Sequence, residues 1–267
     1  MRLREENGND FSFCIEKLTS LCALSITSEG ENKVIDLASL STPPPYLQRL
    51  YLSGKLQELP SWITSLHNLA RLYLKWSCLK QDPLAYLEDL PNLAHLELLQ
   101  VYDGGDNKLL HFKCGKFNKL KVLGLDKFEG LNRVIVGKGA MPCLEKLSVG
   151  RCEPLKKVPS GIENLSKLKV LEFFDMPDEL METICQHGPG KDYWKISHIP
   201  EVYSTYWRDG GWDVYALESF RDCSPRSGTV VRSLEGLASN YGITKMCILT
   251  NLAELFHVYM SALQIKV

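Results

Sequence analysis

The residue types able to carry chemistry are present in this chain but are never assembled. Nine cysteines stand singly at positions 14, 22, 78, 114, 143, 152, 185, 223 and 247. No two are spaced C-x-x-C, so neither a zinc ribbon nor a redox dithiol is encoded. Scattered single thiols suit a reducing compartment, where they serve as small apolar groups. The six histidines are dispersed. There is no H-E-x-x-H, no G-x-S-x-G elbow and no complete G-x-G-x-x-G. Gly137 and Gly139 lack a third glycine and read as a turn. Cys185 and Cys223 lie outside the regular part of the chain, but nothing places a base beside either. The stretch GPGK at 188–191 is too short for the phosphate-binding G-x-x-x-x-G-K-[ST] loop and lacks its hydroxyl residue. The sequence therefore predicts no catalytic residue, no metal site and no cofactor, and the chain reads as a non-enzyme.

The chemistry that is concentrated is that of contact. Arg49, Tyr51, Arg71, Tyr73, Lys75, His95 and Glu97 fall at matching places in three successive leucine segments. Arginine with tyrosine is the combination that dominates protein-contact hot spots. Stacked arginines on neighbouring strands repel one another. Either Glu97 and solvent relieve that repulsion, or an acidic partner does. The seven residues are accordingly expected to form a partner-binding patch for an acidic protein surface. The competing expectation is a solvated face with aliphatic stems packed flat on the ribbon.

Placing those residues side by side requires a repeat, and the chain has one. Seven segments share the spacing Leu-x-x-Leu-x-apolar, starting at Leu21, Leu47, Leu69, Leu93, Leu120, Leu144 and Leu168. Successive starts lie 22 to 27 residues apart, within the 20–29-residue period of leucine-rich repeats. Leucine is used accordingly: 35 of the 43 fall in residues 1–175. Side chains alternate along a strand, so the fourth and sixth positions of each segment point one way, into a shared core. Stacking then builds an α/β leucine-rich-repeat solenoid, a curved parallel β ribbon on the concave side. The convex side is expected to carry irregular helical turns. Leu56-x-x-Leu59-Pro60-x-x-Ile63-x-x-Leu66 and Leu155-x-x-Val158-Pro159-x-x-Ile162-x-x-Leu165 show apolar residues every three or four positions behind a proline. The ninth repeat position usually holds Asn or Cys to satisfy the bend; here only Cys152 does, which predicts an irregular solenoid. The turn-rich run 103–107 (DGGDN) is expected to bulge from the surface.

Three divisions follow: repeats over 1–176, a C-terminal cap over 177–220 and a divergent tail over 221–267. The cap expectation rests on the aromatics Tyr193, Trp194, Tyr203, Tyr206, Trp207, Trp212 and Tyr215, because a solenoid end exposes its leucines. Asp209, Gly210 and Gly211 between two aromatic runs read as a hairpin turn. A formal charge of −1 argues against a nucleic-acid or anionic-membrane surface. The apolar stretch 246–265 is broken by Asn251, Glu254 and His257, and no stable membrane span is expected. The N-terminus has no secretory apolar core.

Several stretches carry a resemblance to a known family: STPPPYLQRLYL (41–52), LPSWI (59–63), LEDLPNL (87–93), GAMPCLE (139–145) and VPSGIE (158–163). Beyond the repeats, FDMPDEL (174–180) and DYWKISHIPEVY (192–203) belong with them. Together they resemble the C-terminal leucine-rich-repeat region of plant intracellular disease resistance proteins, more narrowly the coiled-coil nucleotide-binding receptors (NLRs). The resemblance implies a cytoplasmic recognition and regulatory module in defense. Its partner would be a pathogen effector, a guarded host protein or the nucleotide-binding module of a receptor. The departure is that the first repeat starts near Leu18 and no phosphate-binding loop follows, so nucleotide switching is not expected here. Two alternatives stay open: an intracellular scaffold that assembles signalling proteins, and a truncated receptor fragment.

Overall fold

The computed structural model describes residues 15–28, 34–38, 40–102, 109–184, 190–208 and 211–217, together with the backbone of 2–3. Each leucine segment forms a short strand. These are β2 (Ala23–Ser28), β3 (Arg49–Ser53), β4 (Arg71–Lys75), β5 (His95–Leu99), β7 (Val122–Asp126), β9 (Lys146–Gly150) and β10 (Val170–Phe174). They pair in parallel in that order, with repeat position set against repeat position. Leu50 stands beside Leu72, Leu72 beside Leu96, and Leu96 beside Leu123. A strand β1 (Arg2–Leu3) extends the ribbon ahead of β2.

The leucines explain the pairing. Leu50, Leu52, Leu72, Leu74, Leu96, Leu98, Leu123 and Leu125 are buried. Each contributes about 1.5–3 kcal/mol on leaving water, and none can do so without the neighbouring repeat. Only in the first repeat is the opening leucine, Leu21, half-buried.

The bends show why asparagine is dispensable at the ninth position. Trp76, Gln100, Lys127, Arg151 and Asp175 occupy the eighth position of their repeats, and all adopt the left-handed conformation, with φ between 42° and 54°. Each points its N–H at the next strand of the ribbon: Trp76 at Leu99 O, Gln100 at Asp126 O, Arg151 at Phe174 O and Asp175 at Thr205 O, all 2.8 Å, and Lys127 at Gly150 O, 2.9 Å. A left-handed non-glycine residue costs roughly 1–2 kcal/mol, and the ladder of hydrogen bonds offsets it. The ninth position is thereby released to fill space. Val101, Phe128, Cys152 and Met176 are all buried there. Cys152 also donates its thiol to Gly150 O at 3.1 Å, and burial pushes that thiol up to about 12. Ser77 takes the same place with its hydroxyl buried and unpartnered.

The outer wall is only partly as expected. Helical turns do form at Ser61–Ser65, at Ile162–Asn164 and in α1 (Leu84–Leu87), with Ile63, Ile162, Leu84 and Leu87 buried beneath them. Between them stands a second, two-stranded parallel sheet, β6 (Leu109–Phe112) against β8 (Arg133–Val136). Its residues alternate, with Leu110, Phe112, Val134 and Val136 buried, and β-branched or aromatic residues at period two favour strand over helix. The expected bulge at 103–107 and the tail 221–267 lie outside the described residues, as do Cys185 and Cys223. Gly139 is in a turn with φ 71°.

After the last repeat the chain forms α2 (Asp178–Ile184), a 3₁₀ turn at Tyr193–Lys195 and the strand β11 (Glu201–Arg208). β11 joins β10 in parallel, and β12 (Gly211–Ala216) returns antiparallel to it. The hairpin thus pairs on both sides of the expected turn. Leu180, Ile184, Ile196, Ile199 and Val202 belong to the same core as the repeat leucines. His198 donates from Nε2 to Leu165 O at 3.3 Å, tying this segment to the last repeat.

Candidate functional site

Parallel register turns the repeat spacing into rows across the open face of the ribbon, the face opposite the core. The first row runs Ala23, Arg49, Arg71, His95, Val122, Lys146, Val170. The second runs Ser25, Tyr51, Tyr73, Glu97, Gly124, Ser148, Glu172. The third runs Thr27, Ser53, Lys75, Leu99, Asp126, Gly150, Phe174. All seven residues singled out from the sequence therefore lie together on β3, β4 and β5.

Their pairings differ from the expectation. The Tyr51 and Tyr73 rings stack at 4.6 Å and 20°, and Tyr73 leans on the His95 ring at 5.0 Å. His95 Nε2 lies 2.9 Å from Glu97 Oε1. A carboxylate only accepts, so Nε2 carries the proton in that contact; the Tyr73 hydroxyl stands 3.2 Å from the same nitrogen. Glu97 is thus spent on its own strand and does not relieve the arginines. It reaches sideways over β7, where a Cβ on Gly124 would overlap its carboxylate. Arg49 and Arg71 stand next to each other, exposed, with no ion-pair partner among the described residues. Lys75 is half-buried; burial pulls its ammonium below the ordinary lysine range, against the opposing pull of Glu97 and Asp126.

The far end of the same face is satisfied internally. Lys146 Nζ lies 2.9 Å from Glu172 Oε2, and Ser148 donates to that oxygen at 2.9 Å. Glu172 is only 2% exposed. Arg151 clasps Asp126 with both sides of its guanidinium, Nε reaching Oδ1 at 2.9 Å. These pairs were not singled out from the sequence. The signal was available: opposite charges one row apart on adjacent strands, as at Lys146 and Glu172. Beyond them Phe174, Trp207 and Trp212 gather edge to face, with centroids 6.1 Å (Phe174–Trp212) and 5.0 Å (Trp207–Trp212) apart. By strand alternation all three share the open face; Trp207 is 45% exposed. Two of the three tryptophans expected in the cap, Trp207 and Trp212, therefore stand on the open face, while the aliphatic residues of that segment pack into the core.

Among the described residues, no three His, Cys, Asp or Glu side chains converge as a metal site. No helix there is long and apolar enough to cross a membrane.

A parallel ribbon of in-register leucine strands with a polar open face defines a leucine-rich-repeat solenoid. The chain belongs to the leucine-rich repeat region family, whose model matches residues 1–177. It is similar to three Arabidopsis thaliana proteins in particular. The disease resistance protein RPM1 is 33% identical over 217 residues, 81% of this chain and 23% of that protein. The probable disease resistance RPP8-like protein 4 is 32% identical over 157 residues, 59% of this chain and 17% of its own length. The disease resistance protein RPP8 is 31% identical over the same extent. The chain thus spans a quarter or less of the curated relatives it matches.

Proposed function

We propose that this leucine-rich-repeat region is a non-catalytic recognition and regulatory module of plant defense, acting in the cytoplasm, and that its ligand is an acidic protein surface. The relatives named as disease resistance proteins support the defense setting. One observation carries the site assignment: Arg49 and Arg71 are adjacent and exposed, with no ion-pair partner among the described residues, beside a stacked Tyr51–Tyr73 pair. A partner's carboxylates would relieve the arginine repulsion and replace solvent with charge-assisted hydrogen bonds. The partner classes consistent with the reading are a pathogen effector, a guarded host protein or the nucleotide-binding module of a receptor. In the same reading, residues 177–220 cap the last repeat, with Ile196, Ile199 and Val202 laid against its core.

The experiment is affinity capture from leaf extract, with and without infection, using the wild-type chain and the doubly reversed Arg49→Glu, Arg71→Glu variant. The variant is expected to keep its melting temperature and to lose the proteins the wild type recovers. Recovery of the same proteins by both would reject the arginine patch as the binding face.

A further inference from the structure

We infer that the open face grips its partner at two separate points, and that the aromatic cluster of Phe174, Trp207 and Trp212 is the second. This inference rests on the acidic-partner reading of Arg49 and Arg71 and adds to it an apolar contact and an orientation. The strip between the two points offers little to a ligand, because Lys146 is tied to Glu172 and Arg151 to Asp126. Among the described residues, exposed contact chemistry on this face gathers at the ends: Arg49 and Arg71 on β3 and β4, and aromatic surface on β10 to β12, where Trp207 is 45% exposed.

The distance between the ends sets the kind of partner. From Arg71 on β4 to Trp207 on β11 there are five strand steps, or about 24 Å at ~4.8 Å each. The register aligns Arg71 with Glu201, and Trp207 lies six residues further along, or about 20 Å at ~3.3 Å per residue. The diagonal is therefore roughly 30 Å. A standard interface buries about 800 Å² per partner, a patch about 30 Å across. One folded protein of ordinary footprint thus covers both ends. The charges fix its direction: its acidic group lies toward the N-terminal strands and its apolar group toward the C-terminal ones.

A molecular ruler tests this on the wild-type chain. Three peptides carry Asp-Asp at one end and Trp-Leu at the other, separated by four, ten or sixteen prolines. A polyproline spacer rises ~3.1 Å per residue, so ten span about 31 Å. Titration calorimetry should find the ten-proline peptide at least ~10-fold tighter than the four-proline one, because only a matched spacer lets both ends engage at once. Trp207→Ala should reduce the ten-proline peptide to the affinity of the short one. Equal affinity at all lengths, abolished by Arg49→Glu with Arg71→Glu, would overturn the second contact while leaving the cationic patch intact. Binding that survives the charge reversal, or no binding at any length, would overturn both.

Discussion

The two ends of one ribbon treat charge in opposite ways. On β7 to β10 and the bend that follows β9, Lys146 and Arg151 each have a carboxylate and Glu172 is sealed from water. On β3 and β4, Arg49 and Arg71 have each other as neighbours and no acidic partner among the described residues. Strand geometry, spacing and core are the same in both places. The difference teaches that the repeat supplies a scaffold and the open-face rows decide whether a charge serves the fold or faces outward. A charge answered within the ribbon stiffens it, whereas an unanswered one is available to a ligand.

The contrast can be broken most forcefully at Glu172. Replacing it with alanine strands Lys146, whose side chain is 13% exposed, as an unpaired and largely buried cation. Urea denaturation should show a loss of about 3–5 kcal/mol, and Lys146→Met with Glu172→Leu should recover most of it. A smaller effect is expected at Tyr73. Tyr73→Ala removes the ring held between Tyr51 and His95, and stability should fall by roughly 1–2 kcal/mol, read by the same denaturation. Asp126→Ala sits lower still. Its pair with Arg151 is about one-third exposed on both sides, and solvent screening limits the loss to about 1 kcal/mol or less. Smallest of all is Arg49→Ala with Arg71→Ala. Removing two like charges from adjacent strands should leave stability within about 0.5 kcal/mol of wild type, with any change in the stabilising direction. A large loss there would mean the arginines serve the fold after all.

Much of this arrangement could be read from the residues. The spacing from Leu21 to Phe173 located seven strands and their register, and that register alone brought Arg49, Arg71 and His95 into one row. What stayed hidden was decided by atoms the repeat pattern does not describe. Trp76, Gln100, Lys127, Arg151 and Asp175 take a left-handed bend although none is a glycine, because the neighbouring strand's carbonyl imposes it. Glu97 turned to His95 because two residues on one strand face stand close enough for a direct contact, and because Gly124 on the next strand left room for the carboxylate. The sheet of β6 and β8 was concealed by the expectation of helical turns on the convex side, although Val134, Ile135 and Val136 form a β-branched run that favours strand.

The central claim is that the open face is electrostatically unanswered at one end and answered at the other. Titrating the isotopically labelled chain with a hexa-aspartate peptide, and following amide shifts by NMR, tests it most directly. Shifts should concentrate at Arg49, Tyr51, Arg71 and Tyr73, be absent around Lys146 and Arg151, and vanish when Arg49 and Arg71 are changed to glutamate. Shifts centred on Lys146 and Arg151, or spread evenly over all the lysines, would contradict it.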